Sequence, residues 1–379
     1  MSKKLYTAGP VTVPQSIKQA LNQPILYHRD IEFLEILHSV ISGMKYIFQT
    51  ENDVLPFTAS GTGGMEAAIL NLFSPGDQVL VLDQGKFSAR WVEICQCHRL
   101  QVERIEFAWR ESIDNRQLKK AVKSLKNLKG VLFNHCETST GALNDIRKAA
   151  EIVHRHSKAL VIVDAISTIG VIPFKMDEWN IDVAITASNK GLQNPPGLIF
   201  VALNENAWNF VQRSDLSTYY FSFKKAKHAL EKGNGTAFTP AISLFYGLQQ
   251  AIREIQQKSI ETVWEEHKKL AHAFRKTIKY LGLNIWPDKP SDSLTMIEIP
   301  REFQANKIIA ELKDSFGFVL SKGQGILSNK VIRIGHLKNV NLETDAKLLI
   351  ALEAVLQSTG MKVAHSDSSD YFLKSFRSR

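Results

Sequence analysis

Five apolar residues in unbroken succession, Ala159-Leu-Val-Ile-Val163, end at a carboxylate, Asp164. A run with no polar alternation suits a strand buried on both faces, and such strands belong to parallel sheets covered by helices on each side. The pattern extends along the chain, where short β-rich runs alternate with helical stretches. Candidate strands fall at 54–58, 78–82, 100–106, 130–134, 160–164, 183–187 and 198–202, with helices between them at 62–73, 86–97, 116–125 and 145–156. The expected class is therefore α/β, built on a mainly parallel seven-stranded sheet. After about residue 240 the texture changes to two long helical segments, 241–257 and 260–281, followed by strand and helix pieces at 293–299, 305–315, 331–334 and 342–357. These boundaries give a large domain over 15–257 and a smaller C-terminal α+β domain over 258–364, with residues 1–14 packing near it. The Ser-, Asp- and base-rich stretch 365–379 reads as a tail.

The remaining classes are narrowed by composition. With 44% hydrophobic and 22% charged residues over 379 positions, the chain is neither disordered nor fibrous. Its longest apolar stretch, 159–174, is shorter than a bilayer-spanning helix and contains Asp164 and Ser167, so no membrane span is expected. Three cysteines, Cys95, Cys97 and Cys136, cannot form a disulfide framework for a chain this size. Together with an N-terminus that lacks an apolar signal core, they lead us to expect a reduced, cytoplasmic protein. The net charge of +9 is spread among apolar positions rather than gathered beside a nucleic-acid signature. It suits anionic small molecules better than nucleic acid.

Three features carry chemistry. In Thr58-Ala-Ser-Gly-Thr-Gly-Gly-Met65 a strand ends in a Gly-rich turn that opens a helix. Free N–H groups at such a helix start, beside the Ser60 and Thr62 hydroxyls, form a phosphate site, although a tight turn with an N-cap would look the same. Asp164 lies at the C-terminal end of a central strand, where a carboxylate is costly unless it meets a cation. A structural role in the next turn is its simpler account. Lys190 follows an apolar strand and precedes Gly191-Leu-Gln-Asn-Pro-Pro-Gly197, a rigid irregular loop. A lysine so placed can be an amine nucleophile toward a carbonyl, or simply a surface residue. Taken together, a phosphate cup, a carboxylate and a lysine meet the needs of pyridoxal 5'-phosphate: an anchor for its phosphate, a partner for its ring nitrogen and an amine for its aldehyde.

These motifs, with His135-Cys-Glu-Thr-Ser-Thr-Gly141, resemble the class V aminotransferases, and within them the alanine–glyoxylate and serine–pyruvate branch. The likeness runs from Ala8-Gly-Pro-Val-Thr-Val-Pro14 through His28-Arg-Asp to Val331-Ile-Arg-Ile-Gly335. It implies the fold type I architecture of pyridoxal-phosphate transferases and a ping-pong transfer of an amino group from alanine or serine to glyoxylate or pyruvate. Aspartate and 2-aminoethylphosphonate are alternative donors of the same class, and a catalytically silent scaffold is the alternative of another class. Position by position, it implies that Lys190 carries the cofactor and Asp164 pairs with the ring nitrogen. Ser60, Gly61 and Thr62 hold the phosphate, and Thr138 lies near the ring hydroxyl. Asn189 stands where the family often has a phosphate-contacting Gln, and Phe87 where relatives place a stacking Trp or Tyr. Arg333 would bind the substrate carboxylate through a two-bond fork, with Gly9 adding a backbone contact. Thr239 would reach the phosphate of a partner subunit, which implies a homodimer with shared sites. His28 and His135 are pocket or packing residues, and neither has companions at metal-ligand spacing.

Overall fold

The computed structural model describes residues 3–378. Its centre is a seven-stranded sheet of β2 (Asp53–Ala59), β3 (Gln78–Asp83), β4 (Gln101–Glu106), β5 (Leu128–Asn134), β6 (Leu160–Asp164), β7 (Val183–Ala187) and β8 (Gly197–Leu203), in the spatial order β2-β8-β7-β6-β5-β3-β4. The pairs β3/β4, β3/β5, β5/β6 and β6/β7 are parallel. Only β8 runs against its neighbours β2 and β7. All five residues of β6 are buried, as an apolar run covered on both faces requires. Two apolar clusters flank the sheet. One holds Phe33, Phe48, Phe133, Val161 and Val163; the other holds Trp91, Leu132, Leu160, Ile162 and Ile185. Alternate residues of a single strand thus anchor opposite layers.

A second sheet of five strands gathers β1 (Lys4–Tyr6) with β9 (Asn284–Ile285), β10 (Leu294–Glu298), β11 (Phe318–Lys322) and β12 (Val331–Gly335). The first strand of the chain pairs in parallel with β11 at the edge of this sheet. A third apolar cluster, which includes Tyr6, Phe274, Ile332, Leu352 and Phe372, covers one face. It joins the helix Ile260–Tyr280 to the helix Leu342–Ser358. No helix among the described residues is long and apolar enough to cross a membrane.

The expectation of a tail over 365–379 is corrected here. Residues Ser368–Arg377 form a helix whose Phe372 is fully buried and meets Phe274 edge-on with ring centroids 5.0 Å apart. Ser368, Phe372 and Ser375 line its buried face, a helical spacing hidden by the polar identity of two of the three. Tyr280 stacks on Tyr371 with centroids 4.0 Å apart, which fastens the outer side. Truncating a buried phenylalanine removes apolar contact and leaves a cavity, so Phe372→Ala is expected to destabilise the protein by about 3–5 kcal/mol in a urea unfolding curve.

Candidate active site

Because β8 is antiparallel to both β2 and β7, those two strands run in the same direction as each other and as β6. The cup follows β2, Asp164 ends β6, and Lys190 lies three residues beyond Ala187, the last residue of β7. All three features therefore reach the same carboxyl edge of the sheet, where open α/β sheets bind ligands.

Lys190 is half-buried, and its Nζ donates to the Ala8 carbonyl oxygen. Burial pushes its ammonium down to about 8; Asp164 opposes the shift and Arg333 adds to it. A lysine in this state supplies free amine near neutral pH. Its loop is stiff. Gln193 N–H donates to the Lys190 carbonyl at 2.9 Å, Ser188 Oγ donates to the Pro195 carbonyl at 2.6 Å, and Gln193 itself has a positive φ of 52°. A side chain at Gly191 would run into the Ile169 carbonyl, so the loop needs glycine there to sit against its neighbour.

Asp164 is 9% exposed, and its Oδ1 accepts from Ile166 N–H at 2.9 Å. Its Oδ2 has no hydrogen-bond partner among the described residues, and no ion pair compensates the charge. Burial pushes the carboxyl up to about 6, the Ile166 bond pulling the other way. At the cup, Ser60 occupies the N-cap position of the helix Gly61–Leu72, yet its hydroxyl does not cap the helix. The first N–H that bonds back to the Ser60 carbonyl is that of Gly63, at 2.8 Å. The Gly61 and Thr62 N–H groups are left free among the described residues, at the positive end of the helix dipole. That arrangement favours an anion over a plain cap.

Arg333, in β12, is 6% exposed. Its Nε donates to the Lys322 carbonyl at 2.9 Å and its Nη1 to the Thr138 carbonyl at 2.8 Å. Both partners are neutral, so a guanidinium held rigidly in the interior has no carboxylate of its own. Thr138, in the loop after Glu137, is thereby joined to Arg333 through its backbone, and its hydroxyl has no partner among the described residues. Gly9 lies against the stem of Lys190, where any side chain would overlap the lysine; its φ of +104° also favours glycine.

The remaining residues stand apart to different degrees. Phe87, in the first turn of the helix Lys86–Cys97, is half-buried, and the Arg90 guanidinium lies 5.0 Å from its ring centroid. Asn189 is half-buried beside Lys190, and no side-chain bond fixes it. Thr239 lies on the surface in a groove with Phe57, Thr58, Tyr220 and Phe238, and within one chain no hydrogen bond ties it to the cup. His135 packs between the Phe174 and Trp179 rings and shares a 3.0 Å hydrogen bond with Thr168 Oγ1; burial pushes its pKa down to about 3. His28 meets the Tyr27 ring at a centroid distance of 5.0 Å. No group of three or more His, Cys, Asp or Glu among the described residues could hold a metal ion.

Two nearby residues escaped the sequence analysis, although Arg90 lies three residues after Phe87 and Glu137 lies inside one of the motifs. Arg90 donates from Nη1 to Thr62 Oγ1 at 2.9 Å, which places a half-buried cation beside the cup. Glu137 is fully buried and accepts from several donors around Phe87. An Arg three residues after the expected stacking ring, on the same helix face, was the available signal for the first.

The chain belongs to the class V aminotransferases, and its fold is theirs. The family described as Aminotransferase class-V matches residues 17–347. The "Soluble hydrogenase, small subunit" of Synechococcus sp. is 35% identical over 94% of this chain and 93% of its own length. The "L-aspartate--glyoxylate aminotransferase" of Paracoccus denitrificans is 33% identical over 95% of this chain and 92% of its own. Among solved structures, the ureidoglycine-glyoxylate aminotransferase of Bacillus subtilis superposes with a TM-score of 0.94, at 26% identity over 99% of this chain and 98% of that one. Members of this family rely on pyridoxal phosphate, and the residues present fit it. A buried carboxylate with one oxygen unbonded, free N–H groups at a helix start and an amine of lowered pKa answer in turn to a protonated ring nitrogen, a phosphate and an aldehyde.

Proposed function

We propose that this protein moves an amino group from a small amino acid, alanine or serine, to a 2-oxo acid, glyoxylate or pyruvate, with pyridoxal 5'-phosphate as cofactor. The observation that carries the reading is the pair of buried charged residues, Asp164 and Arg333, which make no ion pair among the described residues and lie close enough to Lys190 to act on it electrostatically. Structural charges of opposite sign in one site would pair with each other; these two are instead kept for groups the chain does not supply.

When bound, the cofactor supplies an electron sink for the pair left behind at the substrate Cα. The chain's own residues do the rest. Asp164 holds a proton on the ring nitrogen through its free Oδ2. The free Gly61 and Thr62 N–H groups and the Ser60 hydroxyl grip the phosphate, with Asn189 beside them. Arg333 takes the substrate carboxylate on its unoccupied N–H groups, which turns the Cα–H toward Lys190. The Lys190 amine would take that proton and hold it on Nζ for return to substrate, as a base whose pKa lies near the working pH. The phenyl face of Phe87 is the surface available for ring stacking, and Thr138 offers its free hydroxyl to the ring oxygen. Glyoxylate as acceptor draws support from the names of two of the similar proteins.

We read the working form as a homodimer. Tyr219 and Tyr220 are exposed beside Phe238, and Ile25, Tyr27 and Ile31 are exposed on the segment that Arg29 ties to the Asn234 and Thr236 carbonyls. A second copy covering this apolar face would bring Thr239 toward its cup. The test of the whole reading is the visible spectrum of the purified protein during additions of alanine, serine, aspartate, glutamate and 2-aminoethylphosphonate in turn. A band near about 410–430 nm that bleaches with alanine or serine supports it. Bleaching by another donor alone replaces the substrate assignment, and the lack of any band after added cofactor overturns the enzyme.

A further inference from the structure

Glu137 does not touch the open face of the site, yet five donors converge on it. Its Oε1 accepts from Phe87 N–H at 3.2 Å, Ser139 N–H at 3.1 Å and Ser139 Oγ at 2.5 Å. Its Oε2 accepts from Ser88 N–H at 2.7 Å and Asn134 Nδ2 at 3.0 Å. The side chain is fully buried and has no cation in contact. A buried carboxylate is normally costly; here the positive end of a helix dipole and a full set of acceptor bonds offset the loss of water. Every surrounding group donates, so only a side chain with two accepting oxygens satisfies all of them.

The geometry also shows what these bonds fix. Phe87 and Ser88 form the first turn of the helix Lys86–Cys97, and Gly85 is pressed so closely on the acid that a Cβ there would lie 2.9 Å from Glu137 Cγ and 2.5 Å from Ser139 Oγ. Asn134 extends the brace, its Oδ1 accepting from Trp91 Nε1 at 3.1 Å on the next turn of the same helix. The end of β5, the segment after it and the helix that bears Phe87 are thus locked through one carboxylate.

We infer that Glu137 is a positioning residue: by bonding the Phe87 and Ser88 N–H groups and the Asn134 amide it sets the place and tilt of the Phe87 ring, and these bonds reach the cofactor through that ring. The inference rests on the proposed function for its cofactor, while its mechanical half does not. Two measurements on the full-length chain separate them. In the apoprotein, Glu137→Gln turns an accepting oxygen into a donor facing donors, and amide hydrogen exchange in a peptide spanning residues 84–92 is expected to speed up at least tenfold. Unchanged exchange would overturn the inference whether or not the protein binds pyridoxal phosphate. In the loaded protein, Glu137→Gln is expected to weaken cofactor binding about tenfold by equilibrium dialysis and to shrink the circular dichroism of the cofactor band, which follows ring tilt. Added to Phe87→Ala, the same change should cost less than about twofold more, because its route is already cut. Full additivity would overturn the inference, and a wild-type chain that binds no cofactor would instead overturn the proposed function. If Glu137→Gln does not fold, Ser139→Ala gives the same pattern in weaker form, read at the Phe87 and Ser88 amides because Ser139 Oγ itself accepts from Lys86 N–H at 2.9 Å.

Discussion

Replacement of Lys190 by alanine is expected to lower the turnover number by about four orders of magnitude, the upper range for loss of a positioned base, with further loss from the missing amine nucleophile. Steady-state kinetics with the preferred donor measure this. The variant should still bind pyridoxal phosphate through the cup and Asp164, but after borohydride treatment and denaturation it should retain none, whereas the wild type keeps the reduced lysine adduct. The wild-type amine adds a pH signature. Burial lowers the Lys190 pKa to about 8, so the apoprotein carries mostly ammonium at pH 6 and mostly amine at pH 9. Only the amine attacks an aldehyde. The rate of covalent cofactor uptake should therefore climb about tenfold from pH 6 to 7 and level off above about pH 8. A rate that keeps climbing toward pH 10 would mean an ordinary solvated lysine.

The second large effect is expected at Arg333. Removing one side of a buried charge pair costs about 2–5 kcal/mol, so Arg333→Leu should reduce kcat/KM for the donor by a factor between about 30 and a few thousand. The loss should appear mostly as a raised KM, with cofactor affinity unchanged, because the guanidinium faces the substrate. Arg333→Lys should recover little, since an ammonium cannot span the Lys322 and Thr138 carbonyls and also present a fork to the substrate. An amine donor without a carboxylate should react equally well with both variants and the wild type; if it loses as much as alanine does, Arg333 serves the fold and not the substrate.

Much of this layout was legible in the residues because it rests on strong physical signals. All seven strands of the large sheet were marked by apolar runs or by turn residues at their ends, and a charged residue after an apolar strand, as at Asp164 and Lys190, stands out against a background that excludes charge. Weaker signals failed. β1 is three residues long and owes its existence to a partner at the other end of the chain, so no local pattern could show it. The helix Ser368–Arg377 buries two serines with its phenylalanine, and a face made of small polar groups has little apolar contrast. Glu137 lies among small polar residues in the sequence, and its weight comes from donors delivered by Phe87, Ser88 and Asn134, which only the fold brings to it.

The pairing of β1 with β11 also bears on the order in which the protein can be made. Lys4 finds its partner in Phe318, 314 positions later, and the neighbouring Ala8 carbonyl is the one that receives the Lys190 amine. A ribosome adding about 5–20 residues per second would need roughly 15–60 seconds to reach that partner, by which time the seven strands of the large sheet have long emerged. Residues 4–6 thus leave the ribosome long before they can find their place. The site around Lys190 closes only after β11 has emerged, so nascent chains should stay inactive until the small sheet has been translated.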